Sequence, residues 1–340
     1  MDLIELAARI DALIAENEFS GVIRVDRAGE VLLERSVGWA HRAHRVPMTS
    51  DTRLAIASGA KGFTALVVHS LAAEGILPLS TPARTWLGAD LPEVDDLVTV
   101  EHLLAHRSGI GDYVDESAGG DIADYIMPVP VHTLVNTEDY LTVLGGFPQQ
   151  FPPGERFAYN NGGFVVLALL AERAAGIPFH DLVAARVCAP AGLVDTAFLR
   201  SDELPERTAS GYLEARGDRS NILHLPVRGS GDGGIYTTVD DIHRLWRALV
   251  DGKVLEPTVL AQAWLPRSED PDEGMRYGLG FWLHATGPAV VLEGYDAGVS
   301  FRSVHDPASD TTHTVISNWS NGAWPIARAL YETLLDYSTR

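Results

Sequence analysis

The chain has 340 residues, 26 Lys and Arg against 46 Asp and Glu, a formal net charge of −20, and 46% hydrophobic residues. That much apolar material lets a chain of this length hide roughly 75% of the surface its unfolded form exposes, which excludes disorder. The excess of acids, with no basic stripe anywhere, argues against nucleic acid and anionic membrane surfaces as partners.

The N-terminal run through Phe19 carries acids where a secretory signal carries Lys or Arg, and its apolar residues recur at helical spacing, which predicts an amphipathic helix. Two β-rich runs, Gly21–Asp26 and Val31–Val37, enclose Ala28-Gly-Glu30 and predict a hairpin. From Gly59 to about Arg200 the texture is helical, with Lys61–Glu74, Val100–Ala105, Thr137–Leu144, Gly162–Ala175 and Phe179–Ala189 separated by Pro and Gly. The longest unbroken apolar run, Phe164 to Ala171, is far short of the roughly 20 residues a membrane-spanning helix needs. A further amphipathic helix is expected over Val239–Val250, with Thr238 as N-cap and Asp240 and Asp241 compensating its first turn. Strand texture returns at Gly278–His284, Ala289–Glu293, Val299–Val304 and Thr312–Asn318, and a last helix covers Trp324–Tyr337.

No linker, charge block or repeat divides the chain, so a single unit over 1–340 is expected. Its fold class is α/β (α+β): a mainly antiparallel sheet formed by the N- and C-terminal segments and flanked by helices, with an inserted helical lobe. The boundaries read as a sheet lobe of about 1–60 and 229–340 and a helical lobe of about 61–228. Cys188, the sole cysteine, permits no intrachain disulfide and no zinc–thiolate cluster, and reads as a small buried hydrophobe. Together with the acidic N-terminus it points to a cytoplasmic address. His102 and His106 stand four apart, but no glutamate follows His102 as a zinc-peptidase helix requires, so no metal and no cofactor are expected.

The chemistry concentrates at Ser58-Gly59-Ala60-Lys61, between the strand-like Thr52–Ala57 and the helix beginning near Gly62. On a helix, residues three apart share a face, which puts the Lys61 amine within reach of the Ser58 hydroxyl. The helix N-terminus adds unpaired N–H groups where negative charge develops. A lysine becomes a base only if burial or charge lowers its pKa, and Ile56, Ala57, Phe63 and Leu66 are placed to bury it. By itself the same pattern also describes an N-cap serine followed by a solvated lysine. A second segment, Phe151–Asn161, delivers Tyr159, Asn160 and Asn161 from a Pro/Gly turn to the start of a helix. Tyr159 supplies another proton carrier, and Asn161 a donor and acceptor for substrate or for Lys61. Tyr113, Tyr125, Trp282 and Trp319 are candidates for pocket walls or for core packing.

Ser58-x-x-Lys61, Tyr159-x-Asn161 and a glycine-bearing late strand, in this order, resemble the serine β-lactamase and penicillin-binding superfamily, in its class C β-lactamase, D-aminopeptidase and family VIII esterase branch. His102-Leu-Leu-Ala-His106-Arg-Ser-Gly-Ile and Gly231-Asp-Gly-Gly-Ile-Tyr-Thr-Thr-Val-Asp-Asp241 resemble two further segments of that branch, and the likeness runs from about Phe19 to the C-terminus. The resemblance implies a β-lactamase/transpeptidase-like fold, Ser58 as the acylated nucleophile, Lys61 as its proton partner, Tyr159 as activator of the serine or of the deacylating water, and Asn161 as a substrate contact. It assigns the oxyanion hole to the backbone N–H groups of Ser58 and Tyr295. The third motif departs from the family pattern: where Lys-Thr-Gly or His-x-Gly stands, this chain has Leu292-Glu293-Gly294-Tyr295. The cation or imidazole that would meet a β-lactam carboxylate is replaced by Leu292. Glu293, if it points inward, disfavours anionic substrates further.

The expectation is therefore a serine acyl hydrolase that forms an acyl-enzyme on Ser58 and acts on a small neutral or cationic ester or amide. Its alternatives are a transacylase of secondary metabolism, a β-lactamase or D-aminopeptidase, and a catalytically inactive ligand-binding homologue. The predicted partner is a small-molecule ester or amide, with no nucleic acid and no membrane. The segments Asp112–Val131 and Arg200–Arg228 are expected to set specificity.

Overall fold

The structure is a computed structural model, and it describes residues 3–114, 119–270 and 273–335. The first helix, α1 (Leu3–Glu16), buries Leu6 and Ile10, one helical turn apart on one face. Strands β1 (Gly21–Arg27) and β2 (Glu30–Val37) form the expected hairpin. Its two-residue turn, Ala28-Gly29, has φ of 51° and 82°, so both central residues are left-handed, as a turn matched to the twist of paired strands requires.

Six later strands complete the sheet: β3 (Ser268–Asp270), β4 (Met275–Tyr277), β5 (Trp282–His284), β6 (Val290–Asp296), β7 (Val299–Asp306) and β8 (Thr311–Ser317). The order is β2-β1-β8-β7-β6-β5-β4-β3, antiparallel throughout, so the N-terminal hairpin pairs with the last strand. Central strands are covered on both faces, which explains runs such as Val22-Ile23 that do not alternate with polar residues. Val22, Phe301 and Ile316 face the main core, while Ile23, Val25 and Val315 pack beneath α1 and the C-terminal helix α5 (Trp324–Leu334). The end expected for that helix, Tyr337, lies outside the described residues.

Over the other face lie α2 (Ala60–Ala73), α3 (Asn161–Ala175) and α4 (Val239–Val250). Phe63, Val67, Val68 and Leu71 of α2, and Phe164, Leu167 and Leu170 of α3, are fully buried in the main core. Thr238 caps α4 by accepting the Asp241 N–H at 3.2 Å.

Several elements differ from the sequence expectation. Gly278–His284 is not one strand. Gly280 turns the chain at φ 94°, where a Cβ would stand 2.1 Å from that of Ala65, and only Trp282–His284 pairs. The three-residue strands β3 and β4 are too short to show alternation in sequence. The helix expected over Phe179–Ala189 contains a wide π turn at Ala184–Cys188.

Candidate active site

Ser58 sits in a single 3₁₀ turn, Ala57–Gly59, that leads into α2. The residue before it, Ala57, holds φ at 45°, a left-handed conformation that a non-glycine residue rarely adopts, and this presents Ser58 at the helix entrance. Lys61, only 2% exposed, follows one helical turn later. Its Nζ donates to Ser58 Oγ at 2.8 Å, to Asn161 Oδ1 at 2.7 Å and to the Asp232 carbonyl oxygen at 2.8 Å. Three residues further on, the Thr64 hydroxyl donates to the Gly231 carbonyl at 2.6 Å. One face of α2 thus grips both the nucleophile and the glycine-rich segment around Gly231. Gly231 is required there, since a Cβ would stand 2.1 Å from the Phe164 carbonyl of α3.

Asn161 is fixed by the N-terminus of α3. Asn160 caps that helix, its Oδ1 accepting from Gly163 N at 2.6 Å, and the Asp112 carboxylate accepts from the N–H groups of Asn161 and Gly162. Burial pushes the Asp112 carboxyl up to about 6, against the opposing pull of those N–H groups and of Lys61. Burial likewise raises Asp232, which accepts the Tyr113 hydroxyl and also feels Lys61.

The Tyr159 ring lies 4.9 Å from Lys61 Nζ, centroid to atom. It is clamped between His106, 4.4 Å away, and Trp282, stacked at 5.9 Å and 12°. His106 is buried, with its Nδ1 accepting from Asn160 N at 3.0 Å; burial, with Lys61 adding to it, holds the imidazole well below its ordinary value and therefore neutral. His102 serves elsewhere, closing a capping box with Thr99. The two histidines, four apart in sequence, thus have separate local tasks.

Strand β6 passes directly against the nucleophile turn. A Cβ on Gly294 would stand 2.1 Å from the Ile56 carbonyl oxygen, 2.8 Å from Ser58 N and 2.9 Å from Gly59 N. Side chains alternate along a strand, and the consequences for its neighbours are sharp. Leu292 shares the face of Gly294 and is buried, its Cδ2 packed over Gly62 of α2. Glu293 faces the opposite side, where it pairs with Arg302, which lies over the rings of Trp324 and Tyr331. The expectation that Glu293 screens substrate charge is corrected: its carboxylate is held by Arg302 on the face of the sheet opposite Gly294. Tyr295 is 40% exposed, with its ring edge-on to Trp324 at 6.0 Å.

Ser58, Asn161 and Tyr295 border a cleft that is partly open to solvent. Both segments expected to set specificity contribute to its wall, the first through Tyr113, Ile122, Tyr125 and Met127 and the second through Ser201, Asn221 and His224; residues 115–118 of the first lie outside the described residues. Tyr113 and Tyr125 line the cleft, Trp282 lines the hollow beside Lys61, and Trp319 lines neither. Two contributors, Asp232 and Asp112, were not singled out from sequence, and a third, His106, was weighed only as a metal ligand. Asp232 lies within a noticed glycine-rich segment, but nothing local shows that its carbonyl receives Lys61. Asp112 and His106 act through helix and ring packing that appears only on folding.

A family model described as Beta-lactamase matches residues 6–336. The chain is 29% identical over 378 aligned residues to the esterase EstB of Burkholderia gladioli, with 97% of this chain and 89% of the esterase covered. Among solved structures, a penicillin binding protein from Bacillus halodurans superposes with a TM-score of 0.88 at 36% identity, covering 96% of this chain and 100% of that one. The D-amino acid amidase of Ochrobactrum anthropi SV3, solved with L-phenylalanine amide, gives a TM-score of 0.79 at 25% identity over 98% of both chains.

Proposed function

The chain belongs to the β-lactamase family, and from that premise we propose that it is a serine acyl hydrolase of small esters or amides with Ser58 as nucleophile. The observation that carries the assignment is the 2.8 Å contact between Lys61 Nζ and Ser58 Oγ, with Ser58 bordering the cleft and the amine also held by Asn161 and Asp232.

In the forward reaction Ser58 Oγ bonds to the substrate carbonyl carbon while the carbonyl π electrons move onto oxygen. The hydroxyl proton passes to Lys61 in its unprotonated form, with Tyr159 as the neighbouring carrier. The oxyanion is held by the N–H groups of Ser58 and Tyr295, each worth about 10²–10³ in rate. Collapse of the tetrahedral species breaks the bond to the alcohol or amine, which leaves with the proton. Water then adds to the acyl-serine, gives its proton to the same carriers, and releases the carboxylic acid and the serine hydroxyl. Esters and amides are favoured over β-lactams because the position that would present a cation to a ring carboxylate is the buried Leu292. The esterase and amidase relatives support the same choice.

The test is a fluorophosphonate, followed by intact mass and peptide mapping, with burst kinetics on a chromogenic short-chain ester. A single adduct on Ser58 and a burst that Ser58→Ala abolishes are expected. A burst retained in Ser58→Ala, or no adduct on Ser58, overturns the assignment. A cephalosporin in the same panel should be turned over far more slowly than the ester.

A further inference from the structure

The cleft beyond Ser58 has a composition that the hydrolase reading does not require. Its described lining carries two carboxyl groups, Asp232 and Asp296, one imidazole, His224, and no lysine or arginine; Lys61 borders the separate hollow that also touches Ser58. Five tyrosines, Tyr113, Tyr125, Tyr140, Tyr236 and Tyr295, stand in a wall that is otherwise mostly aliphatic. Two of these phenols are tied to the protein through their hydroxyls, Tyr125 donating to the Tyr113 carbonyl at 2.7 Å and Tyr140 to the Arg228 carbonyl at 2.8 Å, which fixes their rings in the wall. Tyr113 is bound to Asp232 in the same way. The carboxylates and phenols share one field: burial, then the negative charges of Asp112, Asp232 and Asp296, push Tyr125 up to about 12.

Asp296 lies on the same face of β6 as Gly294, two residues beyond it, because side chains repeat with period two. At about 3.3 Å per residue its Cα is about 7 Å along the strand from Gly294, on the side where the cleft opens. Resting on the hydrolase reading, we propose that the cleft selects substrates bearing an ammonium group several bonds from the reacting carbonyl, held between the Asp296 carboxylate and the tyrosine walls. Carboxylates attract the cation, and aromatic faces stabilise it without a matching hydrogen-bond geometry, so a quaternary ammonium fits as well as a primary one. The chain's charge of −20 adds a long-range attraction of the same sign.

The test compares charged and neutral isosteres. Two ester pairs are used: 4-nitrophenyl 4-(trimethylammonio)butanoate against 4-nitrophenyl 5,5-dimethylhexanoate, and butyrylcholine against 3,3-dimethylbutyl butyrate. Choline and 3,3-dimethylbutanol binding to the intact protein is measured in parallel by calorimetry, so the charge preference is read even if no ester turns over. The expected result is a preference of at least about tenfold in kcat/KM for the cation in one of the pairs, and tighter binding of choline than of the alcohol. Asp296→Asn should reduce the cation-to-neutral ratio to near unity, and Asp296→Glu should restore part of it, with melting curves confirming that both variants fold. Equal affinity for choline and its neutral isostere, or an unchanged ratio in a folded Asp296→Asn, overturns the proposal while leaving the nucleophile assignment standing. Choline preference with no acylation of Ser58 sinks the hydrolase reading and leaves the cation site.

Discussion

Gly294→Ala tests the link between packing and catalysis most directly. The added methyl carbon would stand 2.1 Å from the Ile56 carbonyl oxygen, against an ordinary contact that begins near 3.4 Å, so strand and turn must part by about 1.3 Å. The strand cannot simply retreat, because Gly294 is paired with Phe301 on β7, whose fully buried ring also presses on Gly59. The turn cannot retreat either without moving Ser58. Overpacking of this kind costs about 1–3 kcal/mol in stability. A displacement of that size also removes one oxyanion donor from its working position, a loss of about 10²–10³ in kcat. The assay is kcat and KM on the chromogenic ester, with the urea midpoint measured on the same preparations. Gly62→Ala is the control: the three atoms nearest its methyl all belong to the Leu292 side chain, Cδ2 first at 2.4 Å, rather than to backbone, so most of kcat should survive. A folded Gly294→Ala enzyme with kcat within about threefold of the parent would refute the placement of the oxyanion hole beside this glycine.

Glu293→Gln should leave kcat/KM within about twofold and lower stability by about 1 kcal/mol, because it weakens only the pair with Arg302 on the far face; a large change in charge preference would show that the carboxylate does reach the cleft. Asp26 forms hydrogen bonds with Arg24 at 2.8 and 2.9 Å and a polar contact with His243 Nδ1 at 2.9 Å, and although burial alone would raise its carboxyl, these partners hold it at about 2. Its folded value lies below the ordinary 3.8, so the stabilisation is present above pH ~4 and fades as the pH falls toward 2; Asp26→Asn should lower the unfolding free energy at pH 7 by about 2 kcal/mol and flatten the acid limb. Asp112 has the opposite sign. With its carboxyl at about 6, its contribution is full below pH ~4 and declines as pH rises through 6, so urea midpoints taken between pH 4 and 7 should slope less in Asp112→Asn than in the parent.

Local chemistry was legible wherever a short-range rule governs it. The three-residue spacing of Ser58 and Lys61 follows from helix geometry alone, and the hairpin from two β-rich runs around a glycine turn. The N-cap Thr238 follows from the acids that come after it. Elements failed to show where the rule needs more residues than the element has, as in β3 and β4. They also failed where a tertiary approach overrides propensity, as at Gly280 against Ala65.

What the sequence by itself determined is the set of reactive groups and their local frames: a hydroxyl one helical turn from an amine, a tyrosine and amides at a helix start, a strand with glycine in place of bulk. Which groups meet was decided by the packed structure. Lys61 reaches Asn161 across 100 residues and Asp232 across 171, and no periodicity encodes such contacts. The sense of Glu293 was decided in the same way. A strand's two faces are equivalent in sequence until the close approach of Gly294 to the Ser58 turn assigns one of them to the cleft, and the alternation of side chains then sends Glu293 to Arg302 and Asp296 toward the substrate.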